Sequence, residues 1–153
     1  MVELSILDQG VGIQKTLSRN PHLEIRGDED ALRLAIKPGI SGRAYVGGPK
    51  LRSDVWANSG YGLFMTSQIC AKGGSFAVCS GDRGLSLSAD GEKVFDVGFS
   101  GTAIRLCIYV PELRALNEAL AEFSRHGEEL AGQVANSRGM TASLSSRSLT
   151  NTH

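Results

Sequence analysis

An aspartate followed by two spaced glycines near the start of the chain is the first feature that could do chemistry. Asp8, Gly10 and Gly12 follow an alternating apolar segment that is typical of a strand. The glycines allow a tight turn and the close approach of a flat ligand, because neither has a Cβ. A carboxylate at a strand end can accept a hydrogen bond from an exocyclic amine. An ordinary turn after a strand is the alternative interpretation.

A second glycine-rich segment precedes a predicted helix and could bind phosphate. Gly60 and Gly62 introduce an apolar run that predicts a helix over about residues 60–72, ended by Gly73–Gly74. The first amides of a helix lack intrahelical acceptors and lie at the positive end of the helix dipole, so they attract anions. A flexible hinge is the alternative interpretation of these glycines.

The remaining sequence predicts an α+β fold in which strands and two short helical segments position these glycines. Alternation predicts a first, half-buried strand at Val2–Leu7, and three acidic residues at 28–30 begin a helix that Lys37-Pro38-Gly39 ends. Gly10 to about Ala57 is otherwise irregular. Four short strands in meander order follow the second helix: Ser75–Ser80, Leu85–Ser88, Lys93–Val97 and Thr102–Tyr109.

The order of these motifs resembles the GHKL superfamily, and most closely its histidine-kinase-like ATPase domains. The series is a strand with a terminal DxGxG, a long glycine-rich loop, a GxGL helix ending in Gly-Gly, a β-meander, and Gly101-Thr102 before a last strand. It covers residues 2 to about 111. The resemblance implies a Bergerat-type two-layer α/β sandwich with a mixed, largely antiparallel sheet, incomplete at its N-terminus.

The resemblance also implies a role for each matched residue in binding ATP. Asp8 would bind the adenine amine, and Gly10 and Gly12 would shape the adenine pocket. The backbone at Gly60 and Gly62 would serve the phosphates and hinge the ATP lid. Thr102 would sit near the adenine and support the aspartate or a bridging water.

The segment between the two glycine motifs, residues 14 to about 57, would correspond to the lid region of the family. Lys37 and Arg43 in this segment are candidate phosphate contacts by charge only, and solvated loop residues are the alternative interpretation.

One part of the family pattern is not found in this chain. In the superfamily an N-box helix precedes the first strand and supplies an Asn that helps hold Mg²⁺, together with an activating Glu in many members. Met1 lies directly before the strand here, so we expect an incomplete Mg²⁺ site, a catalytically incomplete domain and a partly bare sheet face. No catalytic residue is assigned, and a non-catalytic protein-interaction module on a degenerate GHKL fold is the alternative function.

Composition and charge narrow the classes of partner. Acidic and basic residues number 16 each, which gives a net charge of +0 and no electrostatic reason to expect nucleic acid or an anionic membrane. Cys70, Cys79 and Cys107 lie in apolar contexts without CxxC spacing, so we expect buried free thiols rather than zinc ligands or disulfides. The three histidines form no predicted metal or catalytic cluster. A reducing, cytoplasmic compartment fits this composition.

The C-terminal region predicts a helix and then a tail. Pro111 opens a helix over about residues 112–135 whose apolar residues are spaced by three and four from Leu113 to Val134. Packing on its own domain, or pairing in a homodimer or with a signalling partner, are alternatives for this helix. His126 on it superficially resembles a phospho-accepting histidine, and a surface histidine is the preferred interpretation. Residues 136–153 are predicted to be a disordered tail.

Overall fold

A three-stranded sheet with helices on one face forms the main body of the protein. The computed structural model describes residues 1–43, 45, 60–109, 122–123, 125–127 and 129–130. The elements are β1 (Val2–Asp8), α1 (Gly12–Leu17), α2 (Asp28–Ala35), α3 (Gly62–Gly73), β2 (Gly74–Ser88) and β3 (Gly91–Ile108). The sheet order is β1-β3-β2, and β3 pairs antiparallel with both neighbours. The predicted α+β class is confirmed.

Two long strands, β2 and β3, replace the four short strands that the sequence predicts. They form one hairpin that turns at Ala89-Asp90. The glycine-rich segments 81–84 and 98–101, which separate the predicted strands, lie within the two long strands. Gly81 pairs with Phe99, and the ladder continues through register shifts on either side of Gly81. Glycine inside a strand commonly marks such a bulge, so the segmentation into four strands was wrong here.

The core lies between the sheet and the helical layer. Its buried members come from α2, α3 and β2: Leu32, Cys70, Phe76, Val78 and Leu85. Alternate residues of β3 at 104, 106 and 108 pack against this cluster, because side chains on one face of a strand recur every second residue. Burying one large apolar side chain contributes about 1.5–3 kcal/mol, so this cluster supplies much of the driving force for the layer.

The segment between the two glycine motifs contains more regular structure than the sequence predicts. The α2 helix begins at the acidic residues as predicted and ends at Ala35, one residue before the last apolar residue of the predicted run, Ile36; Ala31, Leu32 and Ala35 are buried. A helix at α1 was missed, and its Leu17 is buried beside Ile40 and Ala35. The described part of the predicted lid, up to residue 43, therefore contains two helices and a buried loop at 38–42, besides the largely exposed loop 18–27.

The glycine-flanked helix α3 agrees with the prediction to within two residues at each end. Phe64 and Met65 on this helix are buried with Tyr61, and Phe123 packs against the same cluster.

The described residues between 122 and 130 are helical, and a Cβ at Gly127 would overlap the ring of Phe64. At this point the C-terminal helix contacts its own domain; most of Leu113–Val134 and the predicted tail lie outside the described residues. No helix in the described ranges is long and apolar enough to cross a membrane.

The three cysteines are free thiols, and the predicted burial holds for two of them. Cys70 and Cys107 are buried, whereas Cys79 is half-buried. Burial raises the pKa of the Cys70 and Cys79 thiols, because desolvation disfavours the thiolate.

The first strand is exposed, which differs from the predicted half-buried strand. Every residue of β1 is exposed, and Leu4 and Ile6 retain 51% and 52% of their accessible surface. β1 is an edge strand whose even-numbered residues share the helix-bearing face of the sheet, but α1, α2 and α3 lie over β2 and β3. An apolar strand face of this kind favours association with another surface.

An ion pair fastens β1 to the central strand on the opposite face. Arg105 donates two hydrogen bonds to the carboxylate of Glu3, from Nε at 2.8 Å and Nη2 at 2.9 Å. These hydrogen bonds lower the pKa of Glu3 and raise the pKa of Arg105. The pair is exposed, so its main effect is to fix register rather than to add much stability.

We predict that the chain self-associates through the apolar face of β1. Replacing Leu4 and Ile6 together by Gln should lower the apparent mass measured by light scattering, because the exposed apolar area is reduced. Ser5→Gln, on the other face of the same strand, is the control and should leave the mass unchanged. A wild-type monomer at all concentrations would contradict the prediction.

A carboxylate at the start of α2 fastens that helix to the bulge in β2. Asp28 Oδ2 accepts a hydrogen bond from the backbone N–H of Asp82 at 2.9 Å. Gly81 has φ +68°, and a Cβ there would overlap the Asp28 carboxylate. The bulge therefore requires glycine both for its backbone conformation and for the close approach of α2.

Gly81→Ala should destabilise the protein by about 1–3 kcal/mol, because it adds steric overlap to left-handed backbone strain. Urea unfolding measures the change. Gly91→Ala is the matched control, since Gly91 also has positive φ (+107°) but a Cβ there meets no atom within 4 Å. Equal losses for the two variants would show that the Asp28 contact contributes nothing.

Candidate functional site

A cavity of about 690 Å³ opens where the end of β1 meets the start of α3. Its described lining includes all six residues that the sequence predicts for a nucleotide site: Asp8, Gly10, Gly12, Gly60, Gly62 and Thr102. They are separated by up to 94 positions in the chain, so the fold brings together three motifs that are distant in sequence. Ligand pockets in proteins commonly measure ~300–1,000 Å³.

Strand pairing places Asp8 beside Thr102. These two residues are direct partners in the β1–β3 register, at the end of β1. Asp8 Oδ1 accepts a hydrogen bond from the backbone N–H of Gly10 at 2.7 Å, which orients the carboxylate over the glycine turn. An ionised carboxylate has room for about four hydrogen bonds, so this contact leaves acceptor capacity for a ligand.

The glycine before Thr102 allows the two strands to approach at this level. Gly101 has φ +114°, and a Cβ there would overlap the carbonyl oxygen of Asp8. A side chain at Gly101 would push β1 away from β3 and displace the carboxylate. The Gly-Thr pair therefore combines a close backbone contact with a hydroxyl at the cavity wall.

A buried serine connects the central strand to the first glycine motif. Ser80 is 2% exposed; its Oγ donates a hydrogen bond to the Gly101 carbonyl at 2.8 Å and accepts one from the Ile13 N–H at 3.0 Å. A Cβ on Gly12 (φ +81°) would lie 2.9 Å from the same hydroxyl. Ser80 thus fixes β2, β3 and the start of α1 relative to one another.

The second glycine motif turns the chain into α3 and also lines the cavity. Gly60 has φ +76°, and a Cβ on it would overlap the backbone of Ile40. Gly62 is the first residue of α3, and Thr66 Oγ1 donates a hydrogen bond to its carbonyl at 2.9 Å. The first turn of a 12-residue helix therefore borders the cavity, with amides of the kind that bind anions.

Two arginines, Arg19 and Arg43, line the same cavity. The sequence indicated Arg43 by its charge only and did not indicate Arg19. Lys37, the other basic candidate, is exposed and is not among the described lining residues. Asp8 is the single acidic side chain among those lining residues, so the described lining contains one acidic and two basic side chains.

Sequence reasoning missed Ser80 and Arg19 for different reasons. Ser80 continues the alternation of Phe76 and Val78, so the sequence places a polar residue at a core-facing position. Such a residue needs a buried hydrogen-bond partner, and this pattern could have indicated a structural role for Ser80. Arg19 follows α1, a helix that the sequence does not predict, and no sequence pattern indicates that this arginine lines a cavity. The surface interpretation of His126 agrees with the structure, where this residue is exposed beside Arg125 and Glu129.

Comparisons of the chain with protein-family models, with curated proteins and with solved structures found no match.

Ser80→Ala should destabilise the protein by about 1–3 kcal/mol, because it leaves the Gly101 carbonyl and the Ile13 N–H without their buried partner. Urea unfolding at neutral pH measures the loss. Ser86→Ala is the control, since the Ser86 hydroxyl makes only a long, exposed contact of 3.5 Å with the Lys93 carbonyl. A Ser80 variant as stable as the Ser86 variant would remove Ser80 from this connecting role.

Proposed function

We propose that this chain is an ATP-binding domain of the histidine-kinase-like GHKL type, with a Bergerat-type sheet and helical layer, in a signalling protein. The observation that carries the proposal is the convergence of Asp8, Thr102 and the two glycine motifs on one cavity. Each motif alone has an ordinary structural explanation, and their order along the chain suggested the family. Their meeting in space is a separate observation that supports the same function.

The chemistry of the Asp8 end fits adenine. Since Asp8 Oδ1 receives the Gly10 N–H, the remaining carboxylate lone pairs would accept the exocyclic amine. Thr102 lies beside it to support the carboxylate or a bridging water. Guanine presents a carbonyl oxygen where adenine presents an amine, so the carboxylate would repel it. We therefore expect ATP to bind more tightly than GTP.

The start of α3 and two arginines of the cavity lining fit the phosphate chain. The first turn of α3 at Gly62 offers backbone amides, and Arg19 and Arg43 supply positive charge. Under this proposal, Asp8 and Thr102 would bind the base, and the start of α3 with the two arginines would bind the phosphates.

A protein-interaction module remains the second candidate function, and the exposed apolar face of β1 favours it. Nucleotide binding separates the two candidates. Isothermal titration that gives no heat with millimolar ATP or ADP, from a sample with a cooperative thermal transition, would favour the interaction module.

Asp8→Asn should weaken binding of ATP and of adenosine at least about tenfold, the loss expected when one hydrogen bond to a charged group is removed. The Asn carbonyl oxygen can keep the Gly10 contact, but its NH₂ group would then face the adenine amine, donor against donor. Isothermal titration measures the affinity.

Asp90→Asn is the matched control, because Asp90 lies in the exposed turn between β2 and β3. It should bind nucleotide as the wild type does. Unchanged affinity in the Asp8 variant would remove Asp8 from the adenine role and the proposed function with it.

A further inference from the structure

Two arginines at the cavity differ from most others in the described chain because no described acidic residue pairs with them. Arg19 and Arg43 are exposed at the cavity wall and make no ion pair with a described carboxylate. Four other arginines do pair with Asp or Glu side chains: Arg26, Arg33, Arg83 and Arg105. Among the described residues, no carboxylate therefore competes with a cavity anion for Arg19 and Arg43.

A buried hydrogen bond holds the backbones of these two arginines close together. The residue after Arg19 is Asn20, whose Nδ2 donates to the Ser41 carbonyl at 3.0 Å, and both residues are buried. Ser41 Oγ in turn accepts a hydrogen bond from the Arg43 N–H at 3.2 Å. Segments 19–20 and 41–43 are therefore joined, and both arginines line the same cavity.

The described residues do not fit the Mg²⁺ ion on which the family's nucleotide binding depends. Mg²⁺ prefers oxygen ligands, chiefly carboxylates and the substrate phosphates. Asp8 is the only carboxylate among the described lining residues, and no group of three His, Cys, Asp or Glu within the described ranges could hold a metal ion. The basic side chains among the described lining residues are arginines, whose planar guanidinium donors match phosphate oxygens.

We propose that Arg19 and Arg43 bind the nucleotide's phosphate chain directly, so that this site takes free ATP or ADP in preference to the magnesium complex. The inference rests on the proposed function and deepens it. Mg²⁺ neutralises part of the polyphosphate charge and occupies oxygens that the guanidinium groups would contact. The two arginines would therefore make added metal unnecessary for affinity and unfavourable in excess.

The test is isothermal titration of the full chain with adenosine, ADP, ATP and inorganic tripolyphosphate, each in EDTA and in excess Mg²⁺. In EDTA the affinity should increase from adenosine to ADP to ATP. Tripolyphosphate, which has no base, should also bind. Excess Mg²⁺ should weaken ATP binding and leave adenosine unaffected. A higher salt concentration should weaken the binding of ATP and of tripolyphosphate but not that of adenosine, because salt screens the contacts between charged groups.

Arginine variants assign the contacts. Arg19→Gln and Arg43→Gln should each lower the affinity for ATP and for tripolyphosphate in EDTA about tenfold, the loss expected for a charge-assisted hydrogen bond, while adenosine affinity stays within about twofold. Arg26→Gln is the matched control, since Arg26 is an exposed arginine that lies off the cavity near Glu24; it should bind all ligands as the wild type does.

The outcomes separate this inference from the proposed function. ATP binding that requires Mg²⁺, or arginine variants that bind ATP normally, would overturn the inference while adenosine binding keeps the proposed function. Tripolyphosphate binding that depends on both arginines, without adenosine binding, would support the arginine site and overturn the adenine role. If one variant fails to fold, the other variant still tests the inference. The dependence of wild-type ATP affinity on salt and on Mg²⁺ tests it independently.

Discussion

The register of β3 against its two neighbours is the constraint on which the candidate site depends. Pairing with β1 sets Asp8 opposite Thr102, and pairing with β2 brings Ser80 to the level of Gly101. A one-residue slip in either ladder would turn the cavity-facing side chains to the opposite face, because side chains alternate along a strand. The Ser80 hydroxyl extends this constraint beyond the sheet, since it also holds the N–H of Ile13 at the start of α1.

The helical layer stabilises the two strands of the hairpin and leaves β1 exposed. Side chains of β2 such as Phe76 and Val78 are fully buried, whereas Leu4 and Ile6 on β1 keep about half of their accessible surface. β1 is therefore held by its backbone ladder and the exposed Glu3 contact rather than by packing. Segments with few buried apolar contacts open at lower free-energy cost than the core, so the strand that carries the candidate adenine residue is among the less stable parts of the described sheet.

Sequence patterns predicted the elements whose signals are local. The acidic start of α2, the glycine-flanked α3 and the alternation in β1 each gave the correct type of element. The errors arose where tertiary contacts decide. Short α1 depends on packing Leu17 beside Ile40 rather than on propensity, and the glycines near position 81 form a bulge because α2 approaches there. The prediction that β1 is half-buried was also wrong, because alternation indicates an apolar face but does not indicate whether another element covers that face.

Two parts of the cavity lining are held by different kinds of contact: the part around Asp8 (the Asp8 end) and the part around Arg19 and Arg43 (the arginine end). Under the proposed function they would contribute differently to binding. The Asp8 end is fixed by strand register and a hydrogen bond within the turn, so its acceptor geometry exists before a ligand arrives. The arginine end has exposed side chains on loops joined through Asn20 and Ser41. Ordering such side chains costs about 0.5–1.5 kcal/mol each on binding, and salt screens their attraction. The base would therefore determine which nucleotide is chosen, while the phosphates would add affinity that depends on ionic conditions.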